Sequence, residues 1–186
     1  MRHQFGLAVL GLLVAGTGCA KSSAESAIDG AEKVVAGMQV QAEQLAPGDL
    51  KAINDSIAAM KARVASGDYS GALMGARQAT NIARDLSIGL PARKDQLTAS
   101  FTALSAELPK QLETVLAKVN LFVSQKKLPK GTDPARVAAL KTEAAGWGAA
   151  WTAATDAFKA GNLADAVGKG TVLKNRLATV MTALGG

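Results

Sequence analysis

Apolar residues recur along most of this chain at three- and four-residue steps, the period of a helix with one buried face. Ile28, Ala31, Val35, Met38, Ala42 and Leu45 predict a first helix over 23–45, which Pro47 and Gly48 interrupt. Leu50, Ile53, Ile57, Met60 and Val64 form the seam of a second helix that reaches residue 65. In Ser66-Gly67-Asp68 the glycine suits the left-handed position after a helix, and the aspartate suits the cap of the next one. A third helix carries Tyr69, Leu73, Ala76, Ile82 and Leu86 and ends near Gly89 and Pro91. A fourth, over 92–126, bears Leu97, Phe101, Leu104, Leu108, Leu112, Val115, Val119 and Phe122, its seam unbroken through Pro109. Proline there removes one hydrogen bond and crowds the preceding turn, so a kink is expected rather than an end.

After the loop KKLPKGTDP, Asp133 is placed to cap a helix and Pro134 to take its first position, where a missing N–H is harmless. A fifth helix shows Val137, Leu140, Ala144, Trp147, Trp151, Ala154 and Phe158. A sixth, beyond Ala160-Gly161-Asn162, shows Leu163, Val167, Leu173, Leu177, Val180 and Leu184. Six helices with short connections predict an all-α, up-and-down bundle. ASGDYSGAL (65–73) and KAGNLADAV (159–167) align at a spacing of 94, and Asn162 repeats the capping position of Asp68. Either residues 25–90 and 91–186 are two related three-helix halves, or two helical hairpins have converged on one turn chemistry. A tandem period of about 34 residues is absent, which excludes a tetratricopeptide solenoid.

The first residues read differently. Arg2 and His3 precede an almost continuous apolar run, Phe5 to Ala15, and then the small residues Gly16, Thr17 and Gly18. Basic start, short apolar stretch and small-residue zone make a secretory signal, and the run falls short of the roughly 20 residues a spanning helix needs. The chain's single cysteine, Cys19, follows directly. Thr17 and Gly18 before Cys19 resemble the signal of bacterial lipoproteins, in which the cysteine is acylated and becomes the first residue; Gly16 stands where such signals usually have Leu or Val. Ordinary cleavage after Ala20, which would discard Cys19, is the alternative, and a functional thiol is a third. The expected division is signal 1–18, a short tether 19–24 and a helical domain 25–186. Ala20, where retained enteric lipoproteins have aspartate, implies outer-membrane sorting with the protein facing the periplasm.

Charge and composition narrow the chemistry. The 21 Lys and Arg less Arg2 leave 20 against 15 Asp and Glu after residue 18, a net charge of +5. The single histidine, His3, leaves with the signal. Without His, and without a free thiol if Cys19 is acylated, the usual general base, most zinc sites and most nucleophilic triads are lost. No catalytic residue, metal or cofactor is expected. Abundant alanine and 4 % aromatic residues suit closely packed helices.

The stretch Ala27 to Leu86 is similar to a helical domain of unknown function found in bacterial envelope lipoproteins. The likeness rests on small-apolar spacing and two turns: Ala46-Pro47-Gly48-Asp49-Leu50, and Gly67-Asp68-Tyr69-Ser70-Gly71-Ala72. It covers about a third of the chain and brings no catalytic residues. It implies location and fold more than activity. The reading of the chain as a whole is a non-enzymatic envelope component, structural or adaptor in role, anchored to the membrane through lipid on Cys19.

Few residues stand out as binding candidates. Trp147 and Trp151, with Phe158 beyond them on the same helix, are either core aromatics or an apolar groove for a partner helix or lipid. The second option would make the protein a periplasmic carrier or chaperone. Lys126, Lys127 and Lys130 are a solvated loop or a contact for anionic partners: lipid headgroups, lipopolysaccharide or acidic wall polymers. Gly168-Lys169-Gly170-Thr171 lacks the spacing and the preceding strand of a phosphate loop. Gly71 and Gly75 permit a neighbouring helix to approach. Nucleic acid is a poor fit to an exported chain with few aromatics, and oligomeric state is not legible.

Overall fold

A computed structural model describes residues 15–124 and 134–184. Those residues are all-α: five helices and no strand, with α1 over Ala15–Leu45, α2 Pro47–Ala65, α3 Tyr69–Ser124, α4 Pro134–Lys159 and α5 Leu163–Ala183. The expected third and fourth helices are one. α3 runs through both Pro91 and Pro109. Both prolines are exposed. They are 18 residues apart, about five turns, so they share a side of the helix. The carbonyls they leave without a donor, those of Ser87 and Ser105, are on exposed residues where water can bind them. Residues 19–24, expected as a tether, continue α1 as helix.

The described residues form two compact units. One holds α1 up to Gln39 with Gly48–Ile88; the other holds Val40–Pro47 with the chain from Gly89 onward.

In the first unit, α1 buries Ala24, Ile28, Ala31, Val35 and Met38, and α2 buries Leu50, Ile53, Ile57 and Met60. The first turns of α3 bury only alanines: Ala72, Ala76, Ala79 and Ala83. Small side chains let helix axes approach closely, toward the lower end of the usual 8–10 Å range. Gly75 is the tightest point, since a Cβ there would sit 2.0 Å from the Met60 sulfur.

In the second unit the core is bulkier. Leu104, Leu108, Val115 and Val119 of α3 meet Ala144 and Trp147 of α4 and Leu173, Leu177 and Val180 of α5. A smaller cluster joins Phe101 to Ala154, Ala157 and Ala166, with Trp151 and Val167 packed against both.

The α2–α3 and α4–α5 turns share four backbone hydrogen bonds, and the second has a further one from the Leu163 N–H to the Gly161 carbonyl. Gly67 has φ +85° and Gly161 φ +82°, which only glycine adopts without strain. Ser66, Gly67, Asp68 and Ala72 donate to the carbonyls of Ala62, Val64, Arg63 and Asp68. Ala160, Gly161, Asn162 and Ala166, each 94 residues on, donate to Asp156, Phe158, Ala157 and Asn162. Burial keeps the same register: Ile53 with Trp147, Met60 with Ala154, Ala72 with Ala166, Ala79 with Leu173 and Ala83 with Leu177.

The caps differ, against expectation. Asp68 Oδ1 accepts the Gly71 N–H at 2.9 Å. Asn162, at φ −78° and ψ 67°, makes no side-chain cap bond, because its backbone lies outside the extended conformation that aims a capping side chain at the helix.

Two predictions follow from this packing. Gly75→Val should lower stability by about 1–3 kcal/mol through overpacking against Met60, whereas Gly37→Ala, with open space around its added Cβ, should raise it by up to about 1 kcal/mol. Urea unfolding of the two variants should therefore move in opposite directions. Asp68→Ala should cost about 1 kcal/mol, and Asn162→Ala distinctly less in the same assay.

Candidate functional site

Cys19 is exposed on the second turn of α1, and its carbonyl accepts Ser23 Oγ at 2.9 Å. Residues 18–23 are all exposed, and from residue 18 onward Ala24 is the first buried position. The thiol therefore stands clear of the packed part of the unit, with about five residues, or roughly 7 Å of helix, between it and the core. Residues 1–14, the greater part of the segment expected as a signal, lie outside the described residues.

The three aromatic candidates lie along one stripe of α4 but are unequally placed. Trp147 is only 4 % exposed and sits in the α3–α4–α5 core. Its indole N–H donates to Glu143 Oε1 at 3.4 Å, a long bond. Trp151 and Phe158 are partly buried and both stack on Phe101, with centroid separations of 5.6 and 4.3 Å and interplanar angles of 11° and 10°. Offset stacking of this kind adds about 0.5–1.5 kcal/mol beyond the area buried. Trp147 thus belongs to the core and cannot also line an open groove; Trp151 and Phe158 retain exposed edges.

Beside Trp147, the Arg176 guanidinium donates from Nε and Nη2 to the two carboxylate oxygens of Glu143. That forked bond holds the Glu143 carboxyl below the ordinary 4.5, against a smaller opposing effect of burial; the Trp147 N–H and the arginine charge act the same way as the bond. The arginine is correspondingly held more firmly protonated. Two further pairs cross between helices, Lys61–Glu32 at 2.6 Å and Lys174–Glu107 at 2.5 Å. All of these pairs are substantially solvent-exposed, so each contributes about 0–1 kcal/mol.

The lysines 126, 127 and 130 lie outside the described residues. Gly168 to Thr171 is interior to α5, and Gly170 gives clearance to Leu104, whose Cδ1 would be 2.9 Å from an added Cβ. It is a packing glycine. Among the described residues no group of three His, Cys, Asp or Glu side chains is gathered for a metal, and no helix is long and apolar enough to cross a membrane.

A groove that the sequence reading missed runs between α2 and α3 in the first unit, with a volume of about 310 Å³. Asp49, Ala52, Ile53 and Ser56 line one side, and Ala79, Ile82, Asp85 and Leu86 the other. The sequence placed Ile82 on the apolar stripe of its helix with Tyr69, Leu73, Ala76 and Leu86; of these only Ala76 is buried, the buried seam is Ala72, Ala76, Ala79 and Ala83, and Ile82 is 48 % exposed. Its partner across the groove depends on the pairing of two helices, which periodicity alone does not fix. No protein-family model, curated protein or solved structure matches the chain.

Glu143 gives this site a pH dependence. Its carboxyl is held more acidic in the folded chain than in the unfolded one, so its contribution is complete above pH 4.5 and is lost as pH falls through the depressed folded value. Glu143→Gln should cost up to about 1 kcal/mol at pH 7, and the gap between it and the parent should close at acidic pH. Denaturant titrations of both proteins across pH 2–7 measure this.

Proposed function

We propose that this chain is an exported, non-enzymatic lipoprotein, anchored by acyl chains on Cys19 to the outer membrane and facing the periplasm. Its helices would serve a structural or adaptor role in the bacterial cell envelope. The observation that carries the reading is the order of residues 2–19: a basic start, a short apolar run, small residues, then the single cysteine. The exposure of Cys19 and of the four residues after it supports the same reading, since an acylated residue has to leave the packed helices to enter a bilayer. Each CH₂ of an inserted acyl chain contributes about 0.8 kcal/mol, and two or more chains hold stably.

The contacts made from such an anchor would be with wall polymer, anionic lipid or an envelope protein, and Lys126, Lys127 and Lys130 have the charge for the anionic ones. The division into two related halves also belongs to this proposal. The duplicated turn hydrogen bonds and the shared burial register favour a common origin of the α2–α3 and α4–α5 hairpins over convergence.

A second reading, a carrier or chaperone for an apolar ligand, is favoured by the exposed edges of Trp151 and Phe158. It would show as a saturable change in tryptophan emission when lipid or apolar peptide is added.

Mass spectrometry of the mature N-terminal peptide, from membrane and soluble fractions, tests the anchor. The expected result is a di- or triacylated Cys19 in the membrane fraction, with a Cys19→Ala protein released from it. A free amine on Lys21 in the soluble fraction would overturn the anchor.

A further inference from the structure

We propose that the chain associates head to tail with further copies of itself, the apolar end of α3 in one copy seating on the α2–α3 turn of the next. The two matching turns are differently covered. At the α4–α5 turn the Gln44 side chain lies against Gly161, its Nε2 3.4 Å from where a Cβ would stand. Gln44 belongs to Val40–Pro47, the stretch around the end of α1 that is part of the second unit. Gly161 is half-buried there, and Leu163 is buried. At the α2–α3 turn, no described residue beyond the chain neighbours comes within 4 Å of the same point on Gly67. Gly67 is exposed, and Tyr69, at the place of Leu163, is only partly covered. One turn has a helix end seated on it and its counterpart has none, although the four shared hydrogen bonds give both the same backbone.

A second helix end of the same kind is present in the chain. Moving the last five buried positions of α1 forward by 77 carries Ala31, Val35, Met38, Ala42 and Leu45 onto Leu108, Leu112, Val115, Val119 and Phe122 of α3, all buried or half-buried. The same step carries Gln44 onto Leu121. Leu121 is 68 % exposed, with half-buried Phe122 beside it. The end of α3 thus offers an apolar knob at the position from which α1 covers the α4–α5 turn. The α2–α3 turn offers apolar partners in Val64 and Tyr69, both half-buried. Its charges do not oppose the approach, because Arg63 and Asp68 pair with each other at 3.3 Å. A contact made once within the chain therefore has both of its halves repeated on open surfaces, and a second copy brings them together. The two surfaces differ, so the pairing is heterologous, and a dimer keeps one turn and one helix end open for further copies. A turn and one helix end bury well under the roughly 1,200 Å² of a stable interface, so the association is weak, with a Kd on the order of 1 mM. It does not depend on the anchor at Cys19.

Sedimentation velocity of the purified protein carrying Cys19→Ala, which removes thiol cross-linking, tests this between about 10 µM and about 1 mM. The weight-average sedimentation coefficient of this parent should rise with concentration. Leu121→Arg and Ser66→Arg each place bulk and charge at an exposed position on one of the two surfaces. Both positions lie at helix C-terminal ends, where a cation is tolerated, so thermal unfolding should be nearly unchanged. Each variant alone should stay monomeric. An equimolar mixture of the two should form a dimer and nothing larger, because one intact turn then meets one intact helix end. A parent still monomeric at about 1 mM, a variant that associates as the parent does, or a mixture without dimer would overturn the proposal. Parent association that stops at a dimer and is lost in only one variant would also overturn it, by making the contact a symmetric one through a single surface.

Discussion

The first unit depends on how closely α2 and α3 can approach. With aromatic residues at 4 % of the chain, large rings cannot fill most of the space between helices. The α3 side of this interface is therefore made of alanines and Gly75, against which Met60 packs at a distance that no Cβ would tolerate. Interiors pack near crystal density, so small side chains on one helix have to be matched by short axial separation or by long side chains on the other. Here both are used: α2 contributes Ile53, Ile57 and Met60 to meet the alanine face. The same shortness of side chains, carried to the outer edge of the α2–α3 pair at Ala52, Ser56 and Ala79, leaves the groove.

The second unit solves the same problem with bulk. Trp147 stands where the first unit has Ile53, Leu173 and Leu177 where it has Ala79 and Ala83, and Phe101 stacks with Trp151 and Phe158. Yet the turn that joins each hairpin is the same, down to the left-handed glycine and the four amide donors. The backbone of the hairpin is thus held by its turn, while the helix faces are free to vary. That separation lets the α4–α5 hairpin carry an arginine–carboxylate pair, Arg176 and Glu143, between its two helices. The two hairpins thus offer different surfaces to their surroundings.

Much of this was legible in the sequence. The seams Leu50–Ile53–Ile57–Met60 and Leu173–Leu177–Val180 predicted buried faces that are buried, and Gly67 and Gly161 marked the two turns. The boundary at Pro91 was misread because proline's effect depends on which side of the helix it faces, and the step from Ala83 through Leu90 did not advertise continuity. The Asn162 cap was misread because residue type suggests a cap, while only the backbone angles decide it. Trp147 had a core and a groove reading, and only the pairing of α4 with α3 and α5 chooses the core. The α2–α3 groove was invisible for the same reason, since neither helix shows it alone. The pattern ending at Cys19 is of another kind: the reading proposed for it concerns processing and export, not the packing of the helices.

The contact between Met60 and Gly75 is the point on which the packing account rests, and it can be observed directly. In protein labelled at the methionine methyl groups, a carbon-edited nuclear Overhauser spectrum should show a strong cross-peak between the Met60 methyl and the Gly75 α-protons. Its presence would establish the close α2–α3 approach that shapes both the alanine core and the groove. Its absence, with the Met60 methyl instead contacting only other residues, would contradict the account, because α2 and α3 would then be too far apart for alanines to close the core between them.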